Sequence, residues 1–356
     1  MGRYFKLKWV LTIAAVSFTF YFVSNAARVE NYYSNGLYQY ISKGVRLIAG
    51  PFPFSIGDIL YFILIIMLIR SLFLFVKRFK QDKRKMLFLG KNIMDLLWIC
   101  AVIWLCFHWL WGINYYREDI PKQFSLDKKR PDTAELDKFA SLMLSDVIRN
   151  AAARAHTSEQ VMTLNKPKTL DAYRKLALKY PKLQYKPSAF KSSLFGVLGN
   201  YMGYSGYFNP LSGEAQVNTH MPAFVQPFTG LHEVAHQLGY AKESEANFIG
   251  FLAAHHSGDS ILKYSASLEM FLFARGALYR SDSVRSKALS HALPDIAKKD
   301  LETYKNFYMK YQGPVDDITT WFYSHFLKFN NQPEGMYSYN RGMVYALRYI
   351  LDNKGK

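Results

Sequence analysis

The chain has 356 residues, of which 50% are hydrophobic and 17% aromatic, a composition that excludes a disordered protein. Its formal net charge of +18 would suit a nucleic-acid-binding protein, but the basic excess is divided evenly. Residues 1–120 hold 15 Lys and Arg against 6 Asp and Glu, and residues 121–356 hold 30 against 21. The first excess flanks apolar segments and the second is scattered along amphipathic ones, so we expect no nucleic-acid partner.

Three apolar segments, residues 9–27, 56–76 and 93–113, are long enough to cross a bilayer, which takes about 20 helical residues. Basic residues concentrate in the N-terminus and in the link between the second and third segments. By the positive-inside rule, the N-terminus is cytoplasmic and the chain after about residue 116 is extracytoplasmic. A cleaved signal peptide in place of the first span would give the same orientation.

The chain divides into a transmembrane region, residues 1–118, and an extracytoplasmic domain, residues 119–356. The second part alternates amphipathic helical patterns with a stretch rich in glycine and proline, in which "GEAQVNTH" has the alternation of a strand with one buried face. We therefore predict an α-helical membrane region of three spans and a mainly α, α+β soluble domain with a small sheet.

The segment "HEVAH" carries the clearest chemistry. On a helix, His232 and His236 lie one turn apart on the same face, where both imidazoles can reach one tetrahedral Zn²⁺. Glu233 beside them suits a general base that acts on water. Pro227 suits the first helical turn, and Gly239 suits a left-handed stop. The alternative is a pair of structural histidines, but the strand before the helix and the carboxylate-rich helix after it favour zinc.

The third ligand has to come from the chain after Gly239. Glu243 and Glu245 open "ESEAN", and on a helix they point about 200° apart, so only one of them can ligate and geometry alone does not choose. The segment resembles the "ExxAN" element of gluzincin-type peptidases, although those peptidases place it further downstream. The resemblance implies Glu243 as the ligand and Asn247 as a residue that supports the ligands, with Glu245 as the alternative.

Further candidates could contact the substrate. The strand that precedes the motif helix is expected to be an edge strand to which an extended peptide substrate adds, and the alternative is a plain core strand. Phenol and guanidinium groups can stabilise an oxyanion, but the chain has 26 tyrosines and no single one stands out. The residues proposed for substrate or oxyanion contact are His220, Tyr240, Tyr339 and Arg341.

The chain also resembles, over nearly its whole length, a bacterial membrane-protein family, domain-of-unknown-function family 3810. The resemblance rests on "WLWGINYYRE", "YMGYSGYFNPLSGEAQVN", "PFTGLHEVAHQLGYAKESEANFIGFLA" and "YSYNRGMVYAL". It implies a shared fold and topology in the bacterial inner (cytoplasmic) membrane, and it supplies no established substrate.

These patterns predict a membrane-anchored, extracytoplasmic zinc metallohydrolase, a peptidase of the HExxH…E type with a zincin-like domain. Its partners would be the lipid bilayer and a peptide or envelope protein substrate. A cell-wall peptide crosslink is also compatible. One alternative is a non-catalytic, zinc-stabilised envelope binding or assembly module. Another is a transport or scaffold protein whose spans act alone, although spans with so few internal charges make a poor pathway.

Overall fold

A computed structural model describes residues 2–162, 166–333, 335 and 339–352, without the side chains of residues 2–4, 339 and 340. The described chain is mostly helical with one small sheet, as predicted. Its strands are β1 (Phe190–Ser192), β2 (Gly206–Asn209) and β3 (Glu214–Val217). Its α-helices are α1 (Gly2–Val23), α2 (Ala26–Arg28), α3 (Tyr38–Ala49), α4 (Ile56–Gln81), α5 (Lys85–Leu110), α6 (Ile120–Gln123), α7 (Thr133–His156), α8 (Glu159–Met162), α9 (Lys166–Lys179), α10 (Gly196–Met202), α11 (Gln226–Gln237), α12 (Glu243–Ser257), α13 (Ser260–Leu278), α14 (Ser283–His291), α15 (Asp295–Tyr311), α16 (Pro314–Phe329) and α17 (Tyr339–Asp352).

Three helices are long and apolar enough to cross a membrane, namely α1, α4 and α5. Their apolar windows are almost wholly exposed, as expected of side chains that face lipid. The prediction of three such helices is therefore confirmed, with shifted ends. The first helix stops at Val23 because Asn25 caps the short helix after it, and the third covers Lys85–Leu110 rather than 93–113.

The segment between α1 and α4 packs against the body of the protein. Arg46 of α3 is buried and donates to the carbonyl of Pro187 at 3.0 Å. The side chain of Lys191, in β1, donates to the carbonyl of Gly50 at 2.9 Å. Arg46 and Gly50 therefore contact the chain beyond residue 118, although they precede the second span.

The sheet has the order β1-β3-β2, with β1 parallel and β2 antiparallel to β3. The strand predicted in "GEAQVNTH" is present as β3, but it lies at the centre of the sheet and all four of its residues are buried. The predictions of an edge strand and of a single buried face are therefore wrong. β1 comes from a segment some 20 residues earlier, whose pairing no local alternation could reveal.

A side chain of β3 also binds the N-terminal end of the second span, α4. The buried carboxylate of Glu214 accepts hydrogen bonds from the backbone nitrogens of Ile56, at 3.0 Å, and Gly57, at 2.7 Å. These are first-turn N–H groups of α4, which have no partner within the helix and favour a negative charge. Asp58 of α4 is also buried and accepts from the backbone nitrogen of Leu194 at 2.6 Å.

The soluble helices share one apolar core. α7 packs along α13, and α12 lies against α11, α9 and α17. Large side chains such as Phe139 of α7, Phe248 of α12 and Phe271 of α13 are fully buried. Each such side chain contributes roughly 1.5–3 kcal/mol through the hydrophobic effect. The core therefore fixes α11 and α12 relative to each other.

A buried ion pair joins the start of the body to the end of α11. The guanidinium of Arg117 donates to both carboxylate oxygens of Glu30, at 3.0 and 2.9 Å, and to the carbonyl of Gly239 at 2.9 Å. Burial raises the pKa of Glu30, but the charge and hydrogen bonds of Arg117 outweigh it and hold the pKa below its usual value.

Replacing Arg117 with Leu should leave the Glu30 carboxylate buried without its counter-charge. We expect the free energy of unfolding to fall by about 3–5 kcal/mol, as for other broken buried pairs. Arg149→Leu is the matched control, because Arg149 pairs with Asp146 at the surface and is 73% exposed. That change should cost less than about 1 kcal/mol. Denaturation of the full chain in detergent measures both, and equal losses would contradict the assignment.

Candidate metal centre

The motif helix is α11, and every one of its residues is buried. Pro227 lies in its first turn, as predicted. The helix ends at Gln237, and Gly239 has a φ of +89°, the left-handed conformation that glycine adopts without steric cost. The predicted stop is therefore confirmed. The chain reverses there, and α12 begins at Glu243.

The reversal brings three side chains of the predicted ligand set together. The Oε2 atom of Glu243 lies 3.1 Å from Nε2 of His232 and 3.6 Å from Nε2 of His236. One potential ligand atom from each of the three residues lies within 4.8 Å of the others. Ligands about 2.0–2.1 Å from a tetrahedral zinc ion are roughly 3.3 Å apart, so these separations fit such an ion.

The tautomers of the two histidines also bear on whether a metal ion fits between the three side chains. Nδ1 of His236 lies 2.7 Å from the carbonyl oxygen of Tyr240, which can only accept, and Nδ1 of His232 lies 2.8 Å from Oδ1 of Asn247. With the proton on Nδ1, each neutral ring turns the lone pair of Nε2 toward Glu243. Oε2 of Glu243 is buried and has no hydrogen-bond partner among the described residues. Electron pairs that face one another in this way need a proton or a cation between them, and the donor set fits a divalent metal.

A tyrosine outside the motif orients the carboxylate of Glu243. The hydroxyl of Tyr323, in α16, donates to Oε1 at 2.6 Å and so leaves Oε2 to face the histidines. Sequence reasoning missed Tyr323, because a residue 80 positions away gives no local signal.

Glu245 points elsewhere. Its carboxylate is buried and lies 3.6 Å from Nζ of Lys242. Burial raises its pKa to about 7, against the opposing charges of Lys242 and Arg117. Of the two glutamates that the sequence left open, Glu243 reaches the histidines and Glu245 does not. Asn247 stands beside His232, where a residue that supports a ligand would be.

Glu233 lines the same cleft as the three side chains. Its Oε2 atom is buried without a hydrogen-bond partner among the described residues. Burial raises its pKa to about 8, while His232 acts in the opposite direction and Glu243 adds to the rise. A bound divalent cation would lower this pKa. Gly206 of β2 gives Glu233 room, since a Cβ there would lie 2.9 Å from its Oε1 atom.

The cleft has a volume of about 690 Å³. Its walls include the aromatic rings of Phe228, Tyr304 and Phe326, and a second carboxylate, Glu269 of α13, also lines it. Burial raises the pKa of Glu269 to about 7, partly offset by His232. Sequence reasoning missed this residue too, although a lone glutamate amid the apolar run "SLEMFLF" was a usable signal.

The other predicted contacts lie away from this cleft. His220 is exposed, and its backbone nitrogen donates to Oδ1 of Asn218. Tyr240 is buried beneath the guanidinium of Arg117, which lies 4.3 Å from the centre of its ring. Arg341 is exposed, and the side chain of Tyr339 lies outside the described residues. None of the three described side chains lines the cleft.

Glu243→Ala and Glu245→Ala distinguish the two candidate ligands. We expect the purified full chain to bind one zinc ion, Glu243→Ala to lose it, and Glu245→Ala to keep it, because Glu245 faces Lys242. Metal analysis by mass spectrometry measures the zinc content. Loss of zinc from Glu245→Ala alone would contradict the assignment.

Tyr323→Phe removes the hydroxyl that orients Glu243. We expect zinc affinity to fall by about 10- to 100-fold, the usual effect of losing such a supporting hydrogen bond. Competition with a chromogenic chelator measures the affinity. Tyr279→Phe is the control, because Tyr279 is 49% exposed and does not line the cleft. Unchanged affinity in Tyr323→Phe would show that Glu243 needs no such support.

Comparison with known proteins places the chain in a family. Searches among curated proteins and among solved structures each found no match. The sequence profile of one family, described as protein of unknown function (DUF3810), matches residues 33–347. The match covers the candidate metal centre and most of the 356 residues. The chain therefore belongs to the DUF3810 family.

Proposed function

We propose that this protein is a membrane-anchored zinc hydrolase that cleaves peptide bonds. The observation that carries the proposal is the set of three inward-facing electron pairs, on His232, His236 and Glu243, with a buried carboxylate beside them. Structural histidines in a core would not require this arrangement. The zincin-like description of the soluble domain belongs to the same proposal.

The residues of the cleft suit hydrolysis. A zinc ion at the three ligands would supply Lewis acidity toward water and a substrate carbonyl. The carboxylate of Glu233 accepts a proton from the attacking water and delivers it to the amine as the C–N bond breaks. Water thus adds OH to the acyl carbon and H to the nitrogen. Asn247 and the carbonyl of Tyr240 hold the two imidazoles in the required tautomers.

A peptide substrate is favoured by the strand at the rim of the cleft. β2 has a sheet partner on one side only among the described residues, and Gly206, Tyr207 and Phe208 line the cleft. An extended peptide could add to this edge through main-chain hydrogen bonds. This edge replaces the one expected at β3.

We also propose the topology inferred from the basic residues. The ends of the spans at Val23, Ile56 and Leu110 all join segments that pack in the body of the protein. Their opposite ends are the N-terminus and the short basic link before Lys85. One side therefore carries the cleft and the other carries the positive charge, which supports a cytoplasmic N-terminus and an extracytoplasmic body in the bacterial inner membrane.

Glu233→Gln separates catalysis from metal binding. We expect this variant to keep its zinc and to lose at least about 100-fold in turnover of a peptide library, because the amide cannot accept the proton. Glu302→Gln, at an exposed glutamate of α15, is the control and should retain full turnover. His232→Ala should lose both zinc and turnover.

The result also tests the alternative of a zinc-stabilised binding module. Such a module would bind zinc and show no hydrolysis in either the wild-type chain or Glu233→Gln. A full chain that binds no stoichiometric zinc would overturn the proposal itself.

A further inference from the structure

An apolar groove runs between the second span and the soluble body. α4 contributes Tyr61, Leu64, Ile65 and Leu68, which share one face of the helix. The opposite wall consists of side chains from α10 and its neighbouring loop and strand, namely Phe195, Leu198, Met202, Tyr204 and Tyr207. The groove has a volume of about 470 Å³, and its lining is almost entirely apolar.

The position of the groove along α4 determines whether lipid or water surrounds it. The part of this helix between Asp58 and Lys77, residues 59–76, has one charged residue, Arg70, and rises about 27 Å. The hydrocarbon core of a bilayer is about 30 Å thick, so nearly all of these residues are needed to cross it. Residues 61–68 then lie in the leaflet nearer the body. The groove therefore faces the acyl chains of that leaflet.

The helices beside the groove, α10 and α16, expose apolar side chains, as expected of a surface that lies at the depth of the lipid. On α10, Val197 and Leu198 are each 52% exposed, and on α16, Trp321 and Phe322 are 57% and 63% exposed. α10 contacts α16, and Phe326 of α16 packs against Phe107 of the third span. Exposed apolar side chains of this size next to two spans extend the lipid-facing surface.

The groove adjoins the cleft of the metal centre. Four residues line both, namely Tyr61, Met202, Tyr204 and Tyr207. Tyr61 belongs to the second span, and Phe107 of the third span also lines the cleft. A molecule whose apolar part lies in the groove thus has its other end beside the cleft that Glu233 lines.

The size of the groove selects its occupant. A transmembrane helix is 10–12 Å wide with its side chains, and the groove has space for about one turn of it. A methylene group takes roughly the space of a water molecule, about 30 Å³, so the groove has the volume of about fifteen methylene groups. We propose that the groove holds the acyl chain of a lipid-linked peptide, whose peptide portion lies at the metal centre. This inference rests on the proposed function and names the substrate class of that site.

The test uses the full-length Glu233→Gln variant in phosphatidylcholine nanodiscs, so that substrate binds and is not consumed. The probe is a short peptide with an N-terminal palmitoyl chain that carries a photoreactive diazirine at its end. We expect crosslinks to concentrate on Leu64, Leu198 and Met202. Leu198→Trp, which fills the groove, should reduce the yield at least five-fold. Val197→Trp is the matched control, since Val197 is equally exposed on α10 but does not line the groove.

The outcomes separate this inference from the proposed function. Crosslinks spread evenly over lipid-facing positions such as Leu72 and Phe73, or a yield that Leu198→Trp leaves unchanged, would overturn the acyl-chain site. Crosslinks in the groove of a protein that binds no zinc would leave the acyl-chain site standing and overturn the hydrolase. A chain that binds zinc and crosslinks outside the groove would overturn the acyl-chain site and leave the hydrolase standing. Equal melting temperatures of both tryptophan variants and the parent exclude misfolding.

Discussion

The architecture depends on which groups donate hydrogen bonds to the carbonyls at the C-terminal end of α11. The last carbonyls of a helix have no partners within it, and here that end is buried. Side chains from the segments that flank the spans supply the partners. The hydroxyls of Tyr38 and Ser42 donate to the carbonyl of Gln237, at 2.9 and 2.8 Å, and the indole of Trp111 donates to the carbonyl of His236 at 3.1 Å. The helix that carries both histidines is thus held by groups beside the membrane.

This constraint explains why polar ligands can lie in an apolar cleft. A buried imidazole or carboxylate is costly unless its other atoms are hydrogen-bonded and its position is fixed. At this site, one atom of each of the three candidate ligands has a partner: Asn247 for His232, the carbonyl of Tyr240 for His236 and Tyr323 for Glu243. The atoms left over all face the same point. The packing of the core stabilises the protein enough to hold these buried polar side chains in that geometry.

The sequence predicted those parts of the structure that local patterns determine. The three apolar helices, the ends of α11 and the left-handed Gly239 follow from hydropathy, proline and glycine. The spacing of "ESEAN" narrowed the third ligand to two residues, but only the packing of α12 against α11 shows that Glu243 faces the histidines. Tyr323 and Glu269 were missed because they reach the cleft from α16 and α13, far along the chain. The central place of β3 was missed because β1 pairs with it from a distant segment.

The packing of residues 29–55 has a practical consequence for anyone who wishes to produce a fragment without the three apolar helices. A fragment that starts at residue 119, just beyond the last span, would lack Tyr38, Ser42, Trp111 and Arg117. Buried main-chain oxygens at the end of α11 would then have to find water or remain without partners, at a cost of about 1–3 kcal/mol each. Glu214 would also lose the helix N-terminus that it caps. The membrane-proximal segments thus form part of the folding unit, and the spans cannot be exchanged for an arbitrary tether.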